Sequence, residues 1–460
     1  MGKIKFLAAL WAAKLSTIAL KITKHNGTNF PGQLAIRICP DFLRYIGKPE
    51  RVIAVTGTNG KTTVCNMLLD AFESEGMDLV NNRMGSNINW GIATSLIQSS
   101  GFWGKCRKEM GIFEVDERSA RTVFPYLIPQ FLIITNLSRD SIMRNGHPEY
   151  ISGILTKYIP SSTKLILNAD DLICSGIALD NERAYFGIEK MDSDITECSN
   201  LINDFQICPK CHAKLKYKYL RYSHIGRAYC PECGFTAPEY DYSAHNVDLS
   251  RMTVEISDRG ANAEYRLLND SVYNIYNVVA AVALFLEMGY SRGQAQEFLK
   301  KMQIIGTRYG RTEIGDSAVY TMLAKDKNAF AGSRVFDYIS GIPGKKEIVI
   351  MNSCQWDQVH WSENICWLYD CDFELLNKDD ITNIVVCGPR VKDLKLRLLL
   401  AGVPENRISC AENELDAPEK LVLERGSDVY VLYGTDSISL GNTVADRIKT
   451  KIKEKGGEKE

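Results

Sequence analysis

The stretch RVIAVTGTNGKTTVCNMLLDAF, residues 51–72, decides how this chain is read. An apolar, β-branched run (VIAVT, 52–56) passes into a glycine-bounded lysine and two threonines, and a segment with helical spacing follows. Strand, short glycine loop and helix in that order are the context of a phosphate-binding loop. Glycines let backbone N–H groups approach phosphate oxygens, and the N-terminus of the following helix favours the anion. The loop residues are Gly57, Thr58, Asn59, Gly60, Lys61, Thr62 and Thr63. Lys61 is expected on the β- and γ-phosphates of ATP, and the Thr62 hydroxyl on Mg2+. A bare strand-to-helix turn is the competing reading, and the agreement of all three elements argues against it.

Further apolar runs extend the pattern. GIFEV (111–115), FLIIT (131–135) and KLILN (164–168) read as buried parallel strands, with helix-like segments between them. That alternation predicts an α/β, doubly wound domain. After a helix at 273–288 and a glycine-rich hinge at 306–313, EIVIMN (347–352), NIVVCG (383–388) and DVYVLYG (428–434) predict a second α/β domain. The expected division is an N-terminal helical segment (1–45), an ATP-binding domain (46–305) and a C-terminal α/β domain (306–460). A chain of 460 residues is too long for one core.

Composition narrows the function classes. A net charge of -1 gives no sign of bulk electrostatic binding to nucleic acid and leaves room only for a small local basic patch. Fourteen cysteines without a disulfide-like framework, beside a phosphate loop, point to a reducing cytoplasm. At the N-terminus, Lys14 cuts an apolar run too short to span a bilayer. Ile4, Leu7, Trp11, Leu15, Ile18 and Ile22 instead form one helical stripe, flanked by Lys3, Lys14 and Lys21. The stripe is expected to pack on its own domain; peripheral contact with the inner face of a membrane is the other reading.

From about 205 to 237 the texture changes to cysteine pairs, tyrosines and lysines, which marks an insertion. Cys208 and Cys211 form one Cys-x-x-Cys knuckle, and Cys230 and Cys233 a second. Four thiolates at this spacing suit a tetrahedral Zn2+, and they leave no open coordination position, so the metal reads as structural. A redox pair is the weaker reading, and a nucleic-acid ribbon would bring a wider basic footprint. His212 and His224 are expected at the surface. Cys387 is expected to be a buried packing residue.

Only Thr58 and Asn59 separate the loop glycines, which resembles the shortened phosphate loop of the Mur ligases and folylpolyglutamate synthetases. Further motifs occur in the family's order: FEVDE with Glu114, ITNLSRD with Asn136 and Asp140, LILNADD, NIYNVVAA with Asn274 and Asn277, and GRTE with Arg311. The resemblance implies a magnesium role for Glu114, nucleotide-side roles for Asn274 and Asn277, and an arginine near the ATP phosphates at Arg311. With the four-cysteine ribbon added, the chain resembles the MurT-type subunits of lipid II isoglutaminyl synthase over nearly its whole length.

That family implies ATP-dependent amidation of the D-glutamate α-carboxylate of lipid II, through an acyl phosphate. The ammonia comes from a glutaminase partner in a heterodimer. The family's third domain also supplies an aspartate that orients the glutaminase histidine, as the third member of a triad does. In MNSCQWDQVHWSENICWLYDCDFELL, Trp367, Asp370, Asp372, Phe373 and Glu374 align with the family, and Asn364 stands where the aspartate is expected. An asparagine holds a histidine's position without stabilising its charged form. Asp357, seven residues upstream, is the substitute if the loop folds back. Two other readings stay open: a divergent Mur-type ligase joining another amine to a carboxylate, and a non-catalytic nucleotide-binding scaffold. The retained Gly60, Lys61, Thr62 and Glu114 argue against the scaffold.

Overall fold

VIAVT lies in β1 (Arg51–Thr56), where every residue after Arg51 is buried, as in a strand covered on both faces. The structure is a computed structural model that describes residues 2–24, 27–139, 147–269, 271–302, 309–324, 328–351 and 365–457. The chain divides into two compact units. The first takes in Met1–Ser138, Pro148–Cys198 and Asn203–Ile304; the second is built mainly on Ile305–Glu460 and also holds Ser199–Ile202.

In the first unit, β1 lies between β3 (Met110–Glu114) and β4 (Phe131–Ile134), parallel to both. Beyond β3 comes β2 (Leu79–Asn81), and beyond β4 come β5 (Lys164–Asn168) and β6 (Arg183–Ile188), all parallel. A short hairpin, β7 (Lys216–Tyr222) and β8 (Ile225–Tyr229), stands apart from this sheet. The sheet continues through β9 (Tyr242–Asp248), parallel to β6, and closes with antiparallel β10 (Thr253–Asp258) and β11 (Ala261–Arg266). Nine strands result, and the chain leaves β1 for one side and returns to the other. Ligands of open α/β sheets sit outside the carboxyl ends of the strands at such a switch point, and the glycine loop leaves β1 there.

The helix Val272–Glu287 is almost entirely apolar and buried on nearly every face, and Ser271 caps it by accepting the N–H of Asn274. Phe285, near its end, meets Phe72 of the loop's own helix with ring centroids 5.7 Å apart. The loop helix and the asparagine-bearing helix are therefore one packed pair.

The N-terminal helix, Gly2–Ile22, differs from expectation. Phe6, Ala9, Leu10 and Ala13 are its buried face, and they join the core with Phe42 and Leu96. Of the predicted stripe, Leu7 and Trp11 are half-buried and pack against this core, whereas Ile4, Leu15, Ile18 and Ile22 are exposed. Small alanines let a helix approach closely, so Ala9 and Ala13 mark the inner face where the larger residues did not. Lys14 lies partly inward, donating from Nζ to the carbonyls of Ile97 and Ser100, both at 2.8 Å.

The second unit is a six-stranded sheet: β12 (Tyr309–Ile314), β13 (Ser317–Leu323), β14 (Lys346–Met351), β15 (Ile381–Cys387), β16 (Ile408–Ala411) and β17 (Asp428–Tyr433), in the order β12-β13-β17-β14-β15-β16. Among the described residues, only β12 runs antiparallel to its neighbour. Cys387 is fully buried, as expected of a packing residue, and burial pushes its thiol pKa up. Asp372 accepts hydrogen bonds from Asn200 Nδ2 at 2.9 Å and from the Leu201 N–H at 2.6 Å.

Candidate active site and cysteine ribbon

The loop after β1 needs its glycines. Gly57 has a φ of 123° and Gly60 one of 88°. A Cβ on Gly57 would stand 2.3 Å from Thr135 Oγ1, and one on Gly60 would stand 2.5 Å from Asn277 Oδ1. Gly60 also occupies the N-cap of the helix Lys61–Ser74 and offers no side-chain acceptor to its first turn. That suits an anion at the helix N-terminus.

The end of β4 braces the loop from beside it. Thr135 Oγ1 and Asn136 Nδ2 both donate to the Asn59 carbonyl, at 2.6 and 2.9 Å, and Asn136 Oδ1 accepts the Asn59 N–H at 3.1 Å. The Thr58 N–H donates to the Asn136 carbonyl at 2.7 Å, and Thr58 Oγ1 accepts the Ser138 N–H at 3.0 Å. A loop backbone braced at Thr58 and Asn59 in this way keeps its shape before any ligand arrives.

Lys61 Nζ donates to Glu117 Oε1 at 2.7 Å, and Glu117 is 1% exposed. Burial raises the Glu117 pKa, against the pull of Lys61 and with help from Asp116. Glu117 is the last residue of FEVDE, in which the motif assigns a role to Glu114 alone. Asp116 carries the missed signal, since its side chain caps the turn by accepting the N–H groups of Arg118 and Ser119 and so returns Glu117 toward the loop. Glu114 is at the carboxyl end of β3, in register with Val55 of β1. Its Oε1 accepts a hydrogen bond from Asn87 Nδ2 at 2.9 Å, while its N–H donates to Asn82 Oδ1. Thr62 is exposed on the first helical turn.

Of the two helix asparagines, Asn277 lies against Gly60. Asn274 is buried, and its Nδ2 donates to the Asn269 carbonyl at 3.1 Å. Arg311 lies on β12 in the second unit, paired with Glu313 at 2.8 Å and set over the Tyr320 ring. Asp140, Asp357 and Asn364 lie outside the described residues.

The four knuckle cysteines converge, with all their Sγ atoms within 4.8 Å of one another. Cys208 and Cys233 are 3.6 Å apart at sulfur, Cys211 and Cys230 3.5 Å. Four Zn–S bonds of about 2.3 Å in a tetrahedron place sulfurs about 3.8 Å apart, so the donor set fits zinc. The two knuckles have the same backbone form. His212 donates its N–H to the Cys208 carbonyl, Gly234 does so to Cys230, and both have positive φ.

His212 is exposed, as expected, but His224 is not: it is 1% exposed at the turn between β7 and β8. Its Nε2 lies 3.4 Å from Asp171 Oδ1, also fully buried. A histidine in a polar turn reads as surface, and only the packing of the hairpin on the domain reverses that. Asp171 also accepts the Leu137 N–H at 2.6 Å, one residue beyond Asn136. Next to it, buried Asp170 accepts from Arg221 of β7 at 3.0 Å and from Tyr276 at 2.6 Å. The hairpin is thereby tied to the strand ends that hold the phosphate loop.

For His224, burial alone would lower the pKa; Asp171 outweighs it and holds the ring above its ordinary 6.5. Burial would raise Asp171, yet His224 and the backbone donors hold it below 3.8. His224 thus adds stability below about pH 6.5 that is lost as pH rises through its raised value, and Asp171 adds stability that is lost as pH falls below its ordinary range. Replacing Asp171→Asn should drop the His224 pKa below 6.5, so that the ring is neutral near pH 7, and cost about 1–3 kcal/mol, that of imperfectly satisfied buried polar groups. A ring titration followed by NMR, with denaturant unfolding, measures both; an unchanged His224 pKa would rule the pairing out.

Comparison with known proteins agrees with these features. Residues 55–206 match the Mur ligase middle domain, and residues 326–435 match the MurT ligase C-terminal domain. The subunit MurT of lipid II isoglutaminyl synthase (glutamine-hydrolyzing) from Staphylococcus aureus (strain COL) is 27% identical over 400 residues, covering 86% of this chain and 88% of that protein. Its counterpart from Streptococcus pneumoniae is 26% identical over 397 residues, covering 84% and 85%. Among solved structures, a pseudomurein peptide ligase type C from Methanothermus fervidus superposes with a TM-score of 0.64 at 19% identity, over 89% of this chain and 81% of that one. MurF ligase from Thermotoga maritima in complex with ADP gives 0.56 at 12% identity, over 92% and 85%. The Mur-ligase-like α/β fold and the resemblance to MurT-type subunits are both borne out.

Proposed function

We propose, from the premise that this is a ligase of the Mur type that resembles MurT subunits along most of its length, that it amidates the D-glutamate α-carboxylate of lipid II with ATP. A carboxylate is unreactive toward amines, and phosphorylation gives it a leaving group. The carboxylate oxygen attacks the γ-phosphorus and ADP departs, leaving an acyl phosphate. Ammonia then attacks the acyl carbon, phosphate leaves, and a proton is lost from the nitrogen, giving D-isoglutamine.

Lys61 balances charge on the γ-phosphoryl group as it moves, and Glu117 fixes where the ammonium points. Thr135 and Asn136 hold the loop in shape, and Asn277 closes on Gly60. Glu114 and Thr62 are the residues to hold Mg2+, which neutralises phosphate charge when bound. Arg311 is assigned to the same phosphates. The cysteine ribbon takes Zn2+ as a structural metal. Ammonia is delivered by a glutaminase subunit, with Asp357 taking the orienting role that Asn364 lacks. The enzyme works in the cytoplasm, at the inner face of the membrane where its substrate is anchored.

The observation that carries this reading is the braced glycine loop, with Lys61 on a buried carboxylate and Glu114 on the next strand. Purified protein should consume ATP when lipid II and ammonia are both present. No turnover with that pair sinks the proposal, and turnover only with another amine favours a divergent Mur-type ligase. With a glutaminase partner, glutamine-dependent amidation should survive Asn364→Ala and be lost in Asp357→Ala.

A further inference from the structure

The outward face of the N-terminal helix lies opposite its buried face and is apolar along its length. Ile4, Leu15, Ile18 and Ile22 are 56–77% exposed on it. The loop carrying Phe102 and Trp103 extends this face. Trp11 donates its indole N–H to the Phe102 carbonyl at 3.0 Å. The Trp11 ring also stacks on Phe102, with centroids 5.0 Å apart, and Trp103 stands edge-on beside both. Phe102 and Trp103 are themselves 59% and 69% exposed. Six large apolar side chains in one outward patch exceed what a surface needs for itself.

Cations dominate the exposed charges of this helix and loop, against the one carboxylate Glu109 at the loop's end. Lys3, Lys21, Lys105 and Arg107 are all exposed on the same helix and loop. No acidic residue precedes Asp41, although the whole chain carries a net charge of -1. We propose that this face is a membrane-docking surface, lying on a bilayer that contains anionic lipid. An apolar face flanked by lysines, with tryptophan at its edge, sits at the boundary between headgroups and acyl chains. Among the described residues no helix is long and apolar enough to cross a membrane, so the contact is one of lying on the surface. A second copy of the chain fits poorly, because a twofold contact would bring the two sets of cations together.

This surface stands on the helix and loop alone, so vesicles without lipid II test it separately from the amidation reading. Full-length protein should bind vesicles of phosphatidylcholine mixed with phosphatidylglycerol, and bind phosphatidylcholine alone much more weakly. Leu15→Asp combined with Ile18→Asp should weaken binding about a hundredfold or more, because two apolar contacts are lost. Lys21→Glu combined with Lys105→Glu should weaken it about tenfold or more, and only toward the mixed vesicles. All four positions are exposed, and an unchanged thermal midpoint confirms that each variant folds. Absent binding to mixed vesicles, or equal binding by the apolar variant, overturns the proposal. So does equal affinity for both vesicle types, and so does self-association that disappears in the apolar variant without any vesicle binding.

Discussion

Lys61→Ala should lower ATP turnover by about a thousandfold or more and leave the protein folded. The rate loss follows from removing the ammonium proposed to meet the γ-phosphoryl group. The survival of the fold is less obvious, because the substitution takes the Lys61 ammonium away from the Glu117 carboxyl, which is almost fully buried. Burial already raises the Glu117 pKa and Lys61 opposes that rise, so losing the ammonium favours a protonated carboxyl. The stability cost is then on the order of 1–3 kcal/mol, that of an imperfectly satisfied polar group. It also depends on pH in a defined direction. A carboxyl with a raised native pKa binds more protons folded than unfolded, so stability falls as pH rises through the window between the two values. The Lys61→Ala protein should lose more thermal stability than the unmodified protein as pH rises above the ordinary glutamate range, about 4.3. Adding Glu117→Gln should remove that extra slope without restoring turnover. Turnover retained in Lys61→Ala would dismiss the assigned role, and identical pH slopes would dismiss the account of Glu117.

The fold was legible because its strands are buried on both faces and so read as unbroken apolar runs. VIAVT, KLILN and EIVIMN each form the strand their composition suggests, within a residue or two at either end. The loop was legible because the bond pattern is local: strand, turn and helix adjoin in sequence. Glu117 and His224 were not legible, for one shared reason. Each is a polar residue in a turn whose burial is decided by a distant element: Glu117 by Lys61, 56 positions away, His224 by Asp171. The N-terminal stripe failed differently. Periodicity identifies an apolar face but not which way it points: the close packing through Ala9 and Ala13 leaves Leu7 and Trp11 half-buried and turns Ile4, Leu15, Ile18 and Ile22 outward.

Removing zinc should unfold the ribbon and then weaken the nucleotide site. The ribbon core is small: Cys208, Leu215, Ala228, Cys230 and Ala237, packed with Leu172 of the domain beneath. Two of its buried apolar members are cysteines of the cluster itself, so the ribbon cannot fold by burial alone. Zinc bound to small four-ligand peptides supplies about 10–16 kcal/mol at neutral pH, which is folding free energy for such a module. The consequence reaches further because of what the ribbon hairpin holds. Arg221 and His224 keep Asp170 and Asp171 paired, and Asp171 fixes the Leu137 backbone next to Asn136, which in turn holds Asn59. Metal analysis should therefore find about one zinc per chain, in line with a four-thiolate structural site. Chelation, or Cys211→Ser with Cys233→Ser, should abolish amide hydrogen-exchange protection across 205–237. Protection around Leu137 should fall with it, and affinity for ATP should drop by about tenfold or more, the loss expected when a preorganised loop must be ordered at binding. Intact protection in the zinc-free protein would exclude a structural metal. Ribbon unfolding with unchanged ATP affinity would confine the zinc's effect to the insertion and refute the link through Asp171.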